Sequence, residues 1–331
     1  MSYRVGVIGA TGAVGTELLT VLADRRFPIS ELRVFASESS EGDSIDWLDD
    51  SVSVESVASS RLASCDLLFG AAPVVVELLP KLAGSGARLV DLSGALELDS
   101  ATPLYLAGFH PQLPAAGAEP WVAVPRGVVA GLGLVLGPLS REQRLVRASV
   151  CTLESASGAG RGGAAALSEQ TVQLLNAMTG ELEPGIFPRS LAFDCLPLVG
   201  ELLDGGESAE EQRLRHVLRR LLDTPDLNVE VTRVRVPTFS GSLATVHVEL
   251  AGPLEAAHAR TLWAQSGTVR VLDDPDLPTS RGALSEESVL VGRIRQDPDR
   301  LRSLSLVLAL DDLRRGSALG AVLAAEALVA S

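Results

Sequence analysis

The feature that most constrains this chain is Gly9-Ala-Thr11-Gly12-Ala13-Val14-Gly15. It follows a short apolar strand over residues 3–8 and opens a helix over 14–24, where Val14, Leu18, Leu19 and Leu22 recur at helical spacing. Glycines let a backbone turn tightly and approach a ligand closely. The helix start then offers unpaired N–H groups and a positive dipole end to an anion. Strand, glycine turn and helix in this order point to a pyrophosphate cradle, with Gly9, Thr11, Gly12, Ala13 and Val14 as candidate contacts. A tight turn that holds no ligand is the alternative. The alternation continues with strands over 32–36, 66–72 and 88–92 and a helix over 73–82 with a proline in its first turn. Strand–helix–strand units at this spacing predict parallel strands with helical crossovers, an α/β, Rossmann-like doubly wound N-terminal domain.

After a strand over 121–124 the pattern changes. Strands are expected over 145–153, 227–236, 244–250, 289–294 and 304–310, and helices over 163–176, 209–222 and 255–265. That is an α+β second domain with a mixed or antiparallel sheet. A last helix over 316–329 is apolar almost all round and must pack on a domain. The polar stretches 38–50 and 204–211 read as solvated loops. The length, 331 residues, fits two domains. With 46% hydrophobic but only 4% aromatic residues, the core must be built from Ala, Leu and Val.

Charge and cysteine usage exclude several function classes. Asp and Glu number 42 against 28 Lys and Arg, a net charge of -14, which argues against binding a nucleic-acid backbone. Cys65, Cys151 and Cys195 are odd in number and far apart, which gives no disulfide framework and fits a reducing compartment. The longest apolar run, residues 127–139, is interrupted by glycines and a proline and falls short of the about 20 residues a membrane span needs. The N-terminus lacks the apolar core of a signal peptide. A cytoplasmic protein with neither membrane nor nucleic-acid partner is expected. His110, His216, His247 and His258 are scattered, and no metal site is visible.

Three further stretches carry chemistry. The second strand ends Ala36-Ser37, where NAD-binding domains place a carboxylate on the ribose 2′-hydroxyl. Ser37 suits a 2′-phosphate, yet Glu38 and Glu41 follow it rather than Arg or Lys, so NADP and NAD both stay open as cofactors. Ser157-Gly158-Ala-Gly160-Arg161-Gly-Gly163 is a second glycine turn between a strand and a helix, either a ligand loop (Ser157, Gly158, Gly160) or a flexible helix start. Arg235, in Arg233-Val-Arg235-Val-Pro237, is either an anion clamp or a strand-edge charge.

Together these residues resemble the aspartate-semialdehyde dehydrogenase family over residues 5–326. The landmarks are GATGAVG (9–15), FAS (35–37), SGAGRGG (157–163), LAFD (191–194), RVPTFSG (235–241), VGRIR (291–295) and DDLRRGSAL (311–319). The resemblance implies a dinucleotide-binding domain of residues 1–126 completed by 312–331, and a substrate and dimerisation domain of residues 127–311 that makes a homodimer. It implies an enzyme of amino-acid biosynthesis that reduces an aspartyl phosphate with NADPH. A cysteine thiolate forms a thioacyl intermediate, and a histidine exchanges protons with it.

The residues that chemistry needs are missing at the matching positions. The family's Pro-Asn-Cys turn matches Pro125-Arg126-Gly127, so the nucleophile position is Gly127. The histidine position is Ser242, whose hydroxyl titrates far above neutral pH. The arginine that binds the acyl phosphate falls at Glu97, the active-site glutamine at Glu154, a substrate-binding glutamate at Val217 and an asparagine at Asp312. Arg235 and Arg213 keep the family's basic residues for substrate. The expectation is a dimeric, nucleotide-binding member that has lost the phosphorylating reaction. The alternative is an active NAD(P)-dependent dehydrogenase in which Cys151 or Cys195 reacts. A third reading makes Glu154 the general base of a reductase or isomerase.

Overall fold

The computed structural model describes residues 2–114, 119–176 and 182–330. The chain forms two compact units, Met1–Arg126 with Gly316–Ser331, and Gly127–Arg315.

The first unit is a doubly wound sheet. Its strands are β1 (Tyr3–Ile8), β2 (Ile29–Ala36), β3 (Ser44–Trp47), β4 (Asp50–Ser56), β5 (Leu67–Gly70), β6 (Arg88–Asp91) and β7 (Trp121–Ala123), in the order β3-β4-β2-β1-β5-β6-β7. All pairings are parallel except β3 with β4. Helices α1 (Ala13–Asp24) and α2 (Val75–Leu82) make the first crossovers. Val5, Val7, Leu18, Leu22, Val34 and Phe69 meet in the core, and the C-terminal helix, which is α7 in chain order (Leu319–Ala330), closes the same core with Val322, Ala324 and Ala325. Its alanines let it pack closely, and Arg25 fastens it by donating to both carboxylate oxygens of Glu326 at 2.7 and 2.8 Å. Residues 38–50 are only in part the solvated loop expected: 38–43 is an exposed loop, and the strand β3 follows it. β3 and β4 form a hairpin there, because Ile45, Trp47, Val52 and Val54 alternate with polar residues and turn toward the core. The alternation is easily overlooked among so many acidic and serine neighbours.

The second unit holds a six-stranded mixed sheet of β8 (Leu145–Glu154), β9 (Asn228–Arg235), β10 (Ser242–Leu250), β11 (Val269–Val271), β12 (Val289–Arg295) and β13 (Ser303–Leu310), in the order β11-β12-β13-β10-β8-β9. β8 and β9 run parallel, and β10 is antiparallel to both β8 and β13. Helices α3 (Val128–Glu142), α4 (Gly160–Leu175), α5 (Ala209–Leu221) and α6 (Ala256–Ser266) accompany it. The apolar run at 127–139 is the body of α3, buried on every side against the sheet, α5 and α6. Gly131 lets Leu310 approach it, and the fully buried Trp263 of α6 donates its indole N–H to the Val135 carbonyl at 2.8 Å. Among the described residues no helix is long and apolar enough to cross a membrane.

The stretch 204–211 corrects a second expectation. Only its first part is loop, because Ser208 is the N-cap of α5 and forms a reciprocal box with Glu211. Both are buried, and the other Glu211 oxygen accepts the Arg233 N–H at 2.9 Å. β9 is an edge strand, and Glu211 and Leu196 satisfy its outer backbone groups. We expect Ser208→Ala to cost about 1 kcal/mol. Glu211→Ala should cost more, about 2–3 kcal/mol, because it strands a buried strand N–H. Urea unfolding of both variants measures the difference.

Candidate functional site

The glycine turn of the first unit is built as a cradle. Gly9 has φ +81°, and the N–H groups of Gly9 and Ala10 both donate to the Phe35 carbonyl, at 2.8 and 3.3 Å. The turn is thereby tied to the end of β2. A side chain at Gly15 would collide with the Gly9 carbonyl, so glycine sets how closely α1 packs on the turn. The first helical bond runs from Thr16 N–H to the Gly12 carbonyl, 2.9 Å. The amides of Ala13, Val14 and Gly15 therefore lie outside the ladder of α1, and no side chain caps them from Gly12. Thr11 and Gly12 reach the surface. These groups fit a pyrophosphate. Ser37 is exposed just beyond β2, with its Oγ 2.9 Å from that of Ser39.

Glu97 faces no open anion site. It is fully buried in the first unit, and its Oε1 accepts the Arg126 N–H at 2.7 Å. Gly94 makes room for the Arg126 guanidinium, which would collide with any side chain there. Asp91, also fully buried, accepts from Ser93 N–H, Ser93 Oγ and Leu96 N–H at 3.0, 2.6 and 2.9 Å. The segment that leads to residue 127 is thus held by carboxylates.

Gly127 is the N-cap of α3, with φ +59° and ψ −139°. That combination lies in backbone space close to glycine's own. A Cβ at this position would meet no atom within 4 Å, so the obstacle to a side chain is the backbone rather than space.

In the second unit the ends of β8 and β9 carry a buried ionic cluster. Thr152 and Glu154 stand in register with Arg233 and Arg235, so all four side chains share one face. Arg233 donates Nε to Glu154 Oε1 at 2.6 Å and Nη2 to Oε2 at 2.8 Å, and Thr152 Oγ1 adds 2.7 Å to Oε1. Arg233 Nη1 also reaches Glu210 Oε2 at 2.8 Å, and Glu210 accepts from Arg213 Nε at 3.2 Å. Burial opposes ionisation of Glu154, but the Arg233 charge and these hydrogen bonds outweigh it and hold the carboxyl below its usual range. Both its oxygens are engaged, so it is not the free general base the third reading needs.

Arg235 and Arg213 belong to the same cluster. Arg235 is buried, donates Nη1 to the Ser155 carbonyl at 2.6 Å and lies against Gly158, where a side chain would strike its guanidinium. Burial lowers its pKa, and burial together with Arg233 pushes that of Arg213 down to about 9, still cationic at neutral pH. The second glycine turn is packed: Ala156 N–H and Ser157 N–H donate to the Thr238 and Phe239 carbonyls at 2.8 and 3.0 Å, and Gly160 (φ +77°) starts α4. Ser242 is buried at the start of β10. The preceding Gly241 donates its N–H to the carboxyl of Asp312, which burial, with Asp311 and Glu154 nearby, pushes up to about 6. Neither Arg233 nor Glu210 stands out in the sequence as a site residue. The signal available was two arginines at period 2 on one strand, matched by Thr152 and Glu154 at the same period on another.

None of the cysteines stands at the start of an α-helix. Cys65 is buried in the first unit, and burial pushes its thiol up to about 11. Cys151 lies in mid-strand on β8, its thiol also raised by burial. Cys195 is exposed in a loop.

A nucleotide-type sheet joined to a mixed-sheet unit defines a two-domain dehydrogenase architecture. Residues 4–115 match the NAD binding domain of semialdehyde dehydrogenases, and residues 136–315 match the dimerisation domain of the same enzymes. Aspartate-semialdehyde dehydrogenase from Streptomyces akiyoshiensis is 36% identical over 99% of this chain and 98% of its own. A USG-1 protein homolog from Azotobacter vinelandii is 33% identical over 98% and 97%. Aspartate semialdehyde dehydrogenase II from Vibrio cholerae, solved in complex with ASA, superposes with a TM-score of 0.93 at 30% identity, covering 100% of this chain and 99% of that one. The chain belongs to the aspartate-semialdehyde dehydrogenase family. The cofactor class expected from its glycine turn, NAD or NADP, is that of the first matched domain.

Asp312 yields a prediction with a definite sign. Its folded pKa, about 6, lies above the ordinary 3.8, so the unfolded chain ionises it more easily. Its burial therefore destabilises the fold at neutral pH, and the penalty fades as pH falls through 6 toward 4. Asp312→Asn should stabilise by up to about 3 kcal/mol at pH 7 and by under about 1 kcal/mol near pH 4. Urea unfolding over that pH range reads both limits.

Proposed function

We propose that this chain is a homodimeric, dinucleotide-binding member of the family that no longer carries out the phosphorylating semialdehyde dehydrogenase reaction. Gly127 carries this reading. The reaction needs a thiolate to attack the aldehyde carbon, and the N-terminus of α3, where the family's cysteine is matched, presents no side chain. Three further features support it. Ser242 cannot take or return a proton near neutral pH as an imidazole does. Glu97 is buried as a backbone acceptor, and Arg235 and Arg213 are occupied within an ionic cluster. In a well-studied hydrolase, loss of the nucleophile or its base costs on the order of 10⁴–10⁶ in turnover.

The nucleotide role falls to residues 1–126 with the C-terminal helix, and the dimer contact to the second unit, in line with its match to a dimerisation domain. Three free cysteines support a reducing, cytoplasmic setting. A second reading, an active dehydrogenase, is favoured by the names of several relatives. However, a relative with a different name is about as similar, so similarity does not decide activity. That reading requires Cys151 or Cys195 to react.

The deciding assay supplies aspartate semialdehyde, phosphate and NADP or NAD to the purified protein beside an active family enzyme. We expect no phosphate-dependent reduction of either nucleotide. Turnover that is abolished by Arg235→Ala, with selective alkylation of Cys151 or Cys195 by iodoacetamide, would establish the second reading instead. Gly127→Cys should not restore turnover and should lower stability by about 1–3 kcal/mol, the cost of a side chain in that backbone region. Thermal unfolding of the variant checks it.

A further inference from the structure

The cradle of the first unit is followed by an acidic loop that bears on which dinucleotide it takes. Residues 37–43 read Ser37-Glu38-Ser39-Ser40-Glu41-Gly42-Asp43, with three carboxylates and no Lys or Arg. Their place relative to the cradle is fixed by the Phe35 carbonyl, which accepts the N–H groups of Gly9 and Ala10. Glu38 lies three residues beyond that junction, about 10 Å along the chain at strand spacing. That is the region where an adenosine ribose lies when its pyrophosphate rests on the turn.

The loop has little freedom to swing its charges away. Ser40 N–H donates to the Ser37 carbonyl at 2.9 Å and Glu41 N–H to that of Glu38 at 3.2 Å. Gly42 N–H donates to the Val54 carbonyl at 3.0 Å, and Val54 N–H to that of Asp43 at 2.8 Å. Beside it runs an open groove of about 720 Å³ lined by Glu38, Glu41, Ser53, Glu55 and Ser56 among others, with no lysine or arginine in its walls. Arg61, the cation close to Glu55, is 3.5 Å from that carboxylate. Ser37 and Ser39, the hydroxyls that suit a phosphate, face each other.

A 2′-phosphate brings up to two negative charges into a setting whose loop carries three carboxylates, with Arg61, the nearby cation, already beside Glu55. A free ribose brings two hydroxyl donors and finds a carboxylate that can accept both. We propose that the first unit selects NAD over NADP, with Glu38 accepting from the ribose hydroxyls and Glu41 and Asp43 adding the field that repels a 2′-phosphate. This rests on the reading that the cradle binds a dinucleotide.

Calorimetric titration of the full chain with NAD and NADP tests it, alongside thermal shifts. NAD should bind at least about tenfold more tightly. The ratio should shrink toward unity near 1 M salt, where the screening length falls from about 10 Å to about 3 Å. It should also shrink in the Glu38→Gln, Glu41→Gln double variant, with weaker NAD and tighter NADP. Both residues are exposed, and the salt series on the unchanged protein does not depend on that variant folding. NADP binding as tightly as NAD overturns the inference and leaves the dinucleotide reading standing. A preference unmoved by salt and by the double variant overturns the electrostatic assignment. Binding of neither nucleotide overturns both.

Discussion

The second unit depends on the ion pair between Glu154 and Arg233. A carboxylate removed from water costs several kcal/mol unless its charge and lone pairs are met, and breaking such a pair costs about 3–5 kcal/mol because one charge is left behind. Both side chains are almost completely buried, and the pair meets that condition with two short bonds, a threonine hydroxyl and a second carboxylate on the far side of the guanidinium. It also fixes geometry at the end of the sheet. Arg233 holds α5 through Glu210, its backbone N–H is held by Glu211, and the turn after β8 is held by Arg235 through Ser155. The pair is a structural joint between the sheet, α5 and the turn after β8.

Much of the frame is legible in the sequence. The glycine turn, the parallel alternation after it and the change to a mixed sheet follow from local chemistry: glycine conformations, apolar period and helix starts. The strand expected over 145–153 is Leu145–Glu154, and the helix expected over 209–222 is Ala209–Leu221. What the sequence does not display is pairing between distant segments. Glu154 and Arg233 are 79 residues apart, and nothing local says that β8 and β9 are parallel neighbours in that register. The β3–β4 hairpin is hidden in the sequence for another reason. Its apolar alternation is short, and tertiary burial outweighs its polar composition.

The candidate site is legible as an absence and only partly as a presence. Gly127 and Ser242, on which the proposed reading rests, can be read directly, because the lack of a thiol or imidazole at a position needs no geometry to recognise. Glu97 looks in the sequence like a charge reversal at an open anion site. In the fold it is a buried acceptor for the backbone of Arg126.

The same distinction applies to the arginines. Arg235 and Arg213 suggest a retained anion clamp, but a clamp needs positive charge in excess of its surroundings. The cluster sets Arg233, Arg235 and Arg213 against Glu154, Glu210 and Asp312, and burial lowers the basicity of Arg235 and Arg213 further. Asp312, poised near pH 6, supplies most of a third negative charge at neutral pH. Three guanidiniums already balanced by three carboxylates have little left to offer an acyl phosphate. On the proposed reading, weak attraction for an acyl phosphate and a side-chain-free Gly127 are separate features, and replacing one residue leaves the other in place.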